Sequence, residues 1–371
     1  MHLFTYATED SSLYEASSSN NFGLDEILEI RKDVDAAGVT VDVSRIVINF
    51  NLTHLSESIY AAGAGSSARY YLNMYDAGSD NLTTSQSIYA YPVSQSWQMG
   101  RGKKVYDPAV TEGVSWDYRS GKNEELFWNG GVKDKGGTWF SGSGFEASQS
   151  FIHTDTQLDM RMDVTNIVNK WLSGTIPNNG FIVKRSGSMG NDNVDLDEGS
   201  SAQLGNFKFF SRDTHTIYTP RLEAVWNSHS WSTGSLSGLD GREIEDLQIY
   251  SPNLKSKYSI NYDGKLRIVG RANFPVLTNS PSSSAYTDVK YLPSGSQYSI
   301  IDNYTDDVVV PYGSGSLISC DSRGNYIDLN TSGLQEQREY KLLVKVISGS
   351  YAGSSGTDTE VIDNNFTFFI R

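Results

Sequence analysis

Apolar and polar residues alternate in short runs along most of the chain. Apolar side chains stand at every second position from Ile46 to Leu52, and again from Leu158 to Val164. A period of two places alternate side chains on opposite faces of a sheet, so these runs predict β-strands. Further strands are predicted over 70–74, 180–184, 207–210 and 222–226, and beyond residue 245 over 266–269, 298–301, 308–310, 326–329, 340–346 and 366–370.

One segment departs from this alternation. Between Val164 and Leu172 the apolar residues recur at helical spacing, with Asp163 available as an N-cap and Gly174 as a stop signal. We predict one short amphipathic helix here. Its apolar stripe, which includes Trp171, is expected to close one edge or end of a sheet.

The stretch between Trp226 and Leu247 is rich in Ser, Thr and Gly and is the most turn-like part of the chain. We therefore predict a domain boundary there. The expected architecture is all-β: a jelly-roll-like β-sandwich over residues 1–228, a linker over 229–244, and a smaller immunoglobulin-like β-sandwich over 245–371.

Five local patterns of the first 228 residues resemble the DNRLRE-type β-sandwich family, which also occurs in some alginate-binding carbohydrate modules. They lie at 20–31, 44–52, 162–171, 178–183 and 210–225, in the order of that family's elements. The strongest is MDVTNIVNKW at 162–171, which resembles the family's short helix. The resemblance implies a jelly-roll-like fold of the carbohydrate-module type.

The amino-acid composition supports the all-β fold class. The chain has 34 Gly, 22 Tyr and 15 Phe but only 20% charged residues, which is typical of strands and turns. A net charge of −14 disfavours binding to nucleic acid. The single cysteine, Cys320, excludes an internal disulfide and is expected to be a small buried residue. We expect no membrane span, lipid anchor or signal peptide.

Oxygen ligands are concentrated in an insertion at residues 186–202. Asp192, Asp195, Asp197 and Glu198 are the candidate metal ligands, and hard cations such as calcium prefer such groups. The spacing lacks the glycine that an EF-hand loop needs. We favour the alternative of a solvated acidic loop. No cofactor is expected other than calcium bound at these four residues.

Three tryptophans in a Gly-rich region are the candidate ligand-binding residues. Trp116, Trp128 and Trp139 could stack on the rings of a glycan if their faces are exposed. The alternative, which we favour, is that they stabilise the fold.

No nucleophile elbow or recognisable histidine context occurs, so no catalytic residue is predicted. The chain looks like a virion structural protein of a tailed bacteriophage, from the tail, baseplate or head decoration. Its expected partners are other virion proteins and further copies of the chain, without nucleic acid or membrane. The main alternative is a carbohydrate-binding or adhesive surface module, and a polysaccharide-active enzyme comes third.

Overall fold

The computed structural model describes residues 1–65, 67–123, 126–128, 136–185, 198, 201–239, 244, 246–274, 289–347 and 359–371. The fold is all-β, as predicted. The chain divides into two compact units. The N-terminal unit comprises Thr5–Ser58 and Arg69–Ala224, and the C-terminal unit comprises Met1–Phe4, Ile59–Ala68 and Val225–Arg371.

One connected sheet supplies the strands of the N-terminal unit. They are β1 (His2–Tyr14), β2 (Ile27–Val34), β3 (Thr40–Phe50), β4 (Arg69–Met74), β5 (Gln86–Pro92), β6 (Ala147–Phe151), β7 (Met160–Asp163), β8 (Phe181–Arg185), β9 (Gly205–Phe210) and β10 (Arg221–Val225). Their order is β6-β5-β8-β3-β1-β10-β4-β7, and β2 pairs with both β3 and β9. The strands predicted in this half are all present.

The predicted helix is α2 (Thr165–Leu172). The N-cap position is Val164, one residue after the predicted Asp163, and Val164 has no side-chain capping hydrogen bond. The Asp163 carboxylate instead accepts a hydrogen bond of 2.9 Å from the Thr165 N–H at the first helical residue. The chain leaves the helix at Gly174, whose φ of +71° suits glycine. Trp171 is buried against Phe181, with the ring centroids 4.5 Å apart.

A second helix, α1 (Thr53–Ala61), was not predicted. Its buried residues Leu55 and Ile59 are four positions apart, but the positions between them are polar. Asn51 accepts a hydrogen bond from the Thr53 N–H at 3.0 Å and so marks its start. Neither helix in the described ranges is long and apolar enough to cross a membrane.

Two sheets form the C-terminal unit. Their strands are β11 (Leu247–Tyr250), β12 (Lys257–Tyr258), β13 (Asp263–Ala272), β14 (Gln297–Asp302), β15 (Val308–Val310), β16 (Ser319–Asp321), β17 (Gly324–Asn330), β18 (Glu339–Ile347) and β19 (Thr359–Ile370). One sheet has the order β11-β13-β17-β16 and the other β12-β19-β18-β14-β15. Residues of both sheets share one hydrophobic core, which makes this unit a β-sandwich. Phe4 of β1 belongs to the same core.

The described part of the predicted linker 229–244 is not an unpaired joint. Ser230 and Ser232 exchange backbone hydrogen bonds of 2.9 Å with Cys320, and Trp231 forms a parallel bridge to it. Strand β16 lies at the edge of its sheet, where backbone N–H and C=O groups have no partner strand. The segment 230–232 supplies hydrogen bonds to this edge. Cys320 is buried, as expected. The predicted boundaries also differ from the observed division, which places Met1–Phe4 with the C-terminal unit.

A carboxylic acid lies inside the N-terminal unit. Asp10 on β1 is completely buried, and its Oδ2 accepts a hydrogen bond of 2.7 Å from the Arg212 N–H. Its Oδ1 is buried without a hydrogen-bond partner among the described residues. Burial raises the pKa of Asp10 to about 7, and the charge of Asp213 adds to the rise, against the opposing effects of Arg212.

Candidate functional site

The three tryptophans predicted as ligand residues are buried. Trp128 is 0% exposed, Trp139 2% and Trp116 4%, and all three lie in one apolar cluster of the N-terminal unit. The Trp128 indole N–H donates a hydrogen bond of 3.0 Å to the Ser115 carbonyl. Stacking of a sugar needs an exposed ring face, which these residues do not offer, and their position agrees with the structural alternative.

Two cations contact these rings. The Arg45 guanidinium carbon lies 4.8 Å from the ring centroid of Trp116 and 5.3 Å from that of Trp139. The Lys184 ammonium lies 5.0 Å from the Trp139 centroid. Desolvated cations gain attraction from the negative face of an indole ring, so the tryptophans help to accommodate two buried charges.

Glu198, one of the predicted metal ligands, is paired with both cations. Its Oε2 lies 2.7 Å from Arg45 Nη2 and 3.3 Å from Lys184 Nζ. Burial opposes ionisation of Glu198, but the charges of Arg45 and Lys184 and their hydrogen bonds outweigh it, so the pKa of Glu198 is lowered. Glu198 is therefore an ionised partner of two cations.

The remaining predicted calcium ligands, Asp192, Asp195 and Asp197, lie outside the described residues. Within the described ranges, no three Asp, Glu, His or Cys side chains come together as a metal site requires. The calcium hypothesis stays a prediction, but the observed contacts of Glu198 are with protein cations.

A second arrangement of polar groups lies beside the loop 99–114, which hydrogen bonds from Asn21 hold in place. The buried Asn21 side chain donates hydrogen bonds of 2.7 Å to the carbonyls of Met99 and Val114 and accepts one of 2.7 Å from the Gly102 N–H. Gly113 has a φ of +102°, and a Cβ there would lie 2.4 Å from the Cα of Gly100. The backbone of this loop is thus fixed at both ends by close contacts.

The loop forms one wall of an open cleft of about 420 Å³. The end of β1, the start of β2 with the two residues before it, Ala77 after β4, and β9 supply the rest of its lining. The lining residues are Tyr14, Asp25, Glu26, Ile27, Glu29, Ala77, Lys103, Lys104, Val105 and Lys208. The lining carries three ammonium and three carboxyl groups, so it offers both charged hydrogen-bond donors and charged acceptors.

Glu29 is the electrostatic centre of the cleft. Its carboxylate accepts hydrogen bonds from Tyr14 Oη at 2.6 Å, Asn206 Nδ2 at 3.0 Å and Lys104 Nζ at 3.3 Å. Burial opposes its ionisation, but these hydrogen bonds and the nearby positive charges prevail and lower the pKa of Glu29. Burial, together with the Glu29 charge, raises the pKa of Tyr14 well above its usual range, so the tyrosine stays a hydrogen-bond donor.

The rim of the cleft is both charged and apolar. Lys103 pairs with Glu26 at 3.3 Å. Beside them, Val105 is 83% exposed, and Ile27 and Tyr106 are also exposed. Three exposed apolar side chains therefore stand beside charges of both signs at this rim.

No family model matches the chain, and no curated protein matches it. Among solved structures, the chain is similar over its whole length to a crystal structure of a DUF4785 family protein from Legionella pneumophila, with 9% sequence identity and a TM-score of 0.18. The chain spans 65% of the length of that protein. A TM-score of this size carries no argument about function.

Sequence reasoning missed the cleft. Tyr14, Glu29 and Lys104 lie in three separate segments and share no motif or spacing. Glu29 stands between Leu28 and Ile30, an alternation equally typical of a glutamate on the exposed face of a strand. Its partners follow only from the tertiary structure.

Proposed function

We propose that this chain is a non-enzymatic structural protein of a tailed-bacteriophage virion, acting in the tail, baseplate or head decoration through protein–protein contacts. The observation that supports the proposal most is the loop carrying Val105 and Tyr106. The Asn21 hydrogen bonds hold its backbone, so the exposed valine is presented without a large entropic cost of ordering on binding. The flanking charges of both signs supply the polar rim of such a contact.

Mass spectrometry of purified particles tests the virion assignment. Particles banded on a density gradient should contain the chain in amounts comparable to those of the other structural proteins. Recovery of the chain only in the cell lysate or the culture supernatant, with none in the banded particles, would contradict it.

A charge on the Val105 loop should weaken contacts between copies of the chain. The first predicted variant, Val105→Asp, is expected to raise the dissociation constant for self-association about tenfold, because a carboxylate replaces an apolar contact. Sedimentation velocity over a concentration series measures the shift. Val39→Asp is the matched control, since Val39 is 60% exposed and lies away from the cleft lining. Equal effects of the two variants would remove the Val105 loop from the contact.

Binding of a glycan is the second candidate, and the cleft favours it. Its volume lies in the range of small-molecule sites, and the balanced ammonium and carboxyl groups suit the paired donors and acceptors of sugar hydroxyl groups. This site differs from the tryptophan platform considered from sequence.

The second prediction concerns Lys104. Lys104→Gln should weaken the affinity for a glycan identified on an oligosaccharide array about tenfold, because the ammonium supplies a charged donor at the cleft. Isothermal titration calorimetry measures the change, with Lys122→Gln as the control on the exposed surface. Absence of binding to any oligosaccharide on the array, or equal affinities of both variants, would reject the glycan candidate.

A further inference from the structure

Two buried cations of the N-terminal unit hold a single carboxylate between them. We propose that Arg45, Lys184 and the rings of Trp116 and Trp139 form a carboxylate-binding site, and that Glu198 is its built-in ligand. The inference is independent of the virion role. It predicts that the site accepts a free monocarboxylate when the Glu198 side chain is shortened.

The donors fit both oxygens of one carboxylate. Arg45 Nη2 lies 2.7 Å from Glu198 Oε2, and Arg45 Nε lies 3.2 Å from Oε1. Lys184 Nζ adds a third contact at 3.3 Å from Oε2. A two-pronged arginine contact of this kind is specific for planar anions such as carboxylates.

The site is held by groups other than Glu198. Arg45 Nη1 donates a hydrogen bond of 2.8 Å to the Gly136 carbonyl, which fixes the guanidinium plane. Arg45 lies on β3 and Lys184 on β8, next to the paired residues Ile46 and Val183 of these neighbouring strands. The sheet therefore sets the spacing of the two cations before any carboxylate is bound.

Burial makes the positive charges of Arg45 and Lys184 more stable when an anion lies beside them. The Lys184 side chain is fully buried, and the side chains of Arg45 and Glu198 are each 9% exposed. The two indole rings accept the cations on their faces but do not neutralise them. Removal of the Glu198 carboxylate takes a negative charge away from two buried cations, which is strongly unfavourable, so the site should take up a small carboxylate from solution in its place.

The third prediction tests this by carboxylate rescue in the full-length chain. Glu198→Ala should lower the melting temperature in sodium chloride, and sodium acetate or formate at the same ionic strength should restore part of the loss. Because a ligand that binds only the folded state shifts the folding equilibrium by mass action, a concentration of acetate one hundred times its dissociation constant should shift that equilibrium about 100-fold. The wild-type chain, whose site is filled, should respond equally to acetate and chloride.

Asp321→Ala is the matched control. Asp321 also receives two hydrogen bonds from one arginine, Arg267, at 2.7 and 2.9 Å, but its side chain is 30% exposed and water can replace it. Its variant should show no difference between acetate and chloride. A difference as large as that of Glu198→Ala would indicate a general effect of acetate and overturn the proposal.

Two further measurements keep the test decisive. If Glu198→Ala folds poorly, its refolding yield in acetate against chloride replaces the melting temperature, with higher yield in acetate expected. Glu198→Gln fills the space without the charge and should show a smaller acetate effect than Glu198→Ala. Equal behaviour of Glu198→Ala in acetate and chloride, by both melting temperature and yield, would overturn the carboxylate site.

Discussion

Replacement of Trp128 by alanine is expected to lower the free energy of unfolding by about 3–5 kcal/mol. Trp128 is completely buried, and the substitution removes its ring from the apolar cluster it shares with Trp116 and Trp139. The change also leaves the Ser115 carbonyl without its indole donor. Urea unfolding followed by circular dichroism measures the loss, and this is the fourth prediction.

Two further variants serve as comparisons for the unfolding free energy of Trp128→Ala. Trp128→Phe keeps much of the ring and should lose less stability than Trp128→Ala. Tyr106→Ala, at an exposed aromatic residue of the same unit, should change the stability by less than about 0.5 kcal/mol. A Trp128→Ala protein as stable as the wild type would show that the ring does not support the fold.

The fifth prediction is that Asp10→Asn removes a large part of the pH dependence of stability. Asp10 has a pKa of about 7 in the folded chain and an ordinary pKa of 3.8 when unfolded, so between these values the folded state binds more protons than the unfolded state. Folding stability contributed by protonated Asp10 is therefore present at low pH and is lost as the pH rises to 7 and above. At 1.36 kcal/mol per pKa unit, the loss between pH 5 and pH 8 is about 2–3 kcal/mol.

Asparagine does not titrate, so Asp10→Asn should show a smaller fall of the unfolding free energy between pH 5 and pH 8 than the wild type. Its amide oxygen can still accept the hydrogen bond from the Arg212 N–H. Asp155→Asn is the control at an exposed position. Parallel pH profiles for wild type and Asp10→Asn would show that Asp10 ionises in the fold without a penalty.

The strands and one helix could be predicted because their signals are local. Alternation from Ile46 onwards corresponds to β3, and α2 lies between Asp163 and Gly174, although its N-cap position is Val164. Helix α1 was missed because only Leu55 and Ile59 mark its buried face among polar residues. Local patterns also do not reveal that segment 230–232 pairs with Cys320, since Ser-rich sequence is equally typical of a free linker.

The candidate sites required information that is not local. Glu198 stands among acidic neighbours, which favours a solvated loop or a metal site from sequence alone. Its partners Arg45 and Lys184 lie on strands more than ten positions away, and only sheet pairing brings the two cations together. The sequence singled out Glu198, Trp116 and Trp139 but neither Arg45 nor Lys184, and the pairing of these groups depends on the tertiary structure.

The position of Phe4 constrains the order in which the polypeptide can fold. Phe4 packs beside Gly333, where a Cβ would lie 2.7 Å from the phenylalanine Cβ, so Phe4 and its core neighbours are far apart in the sequence. The ribosome synthesises Phe4 before the other residues of this core, and contacts between residues so distant in sequence form slowly. A gene fragment that begins at Val225 would lack the phenyl ring and leave a hole in the sandwich.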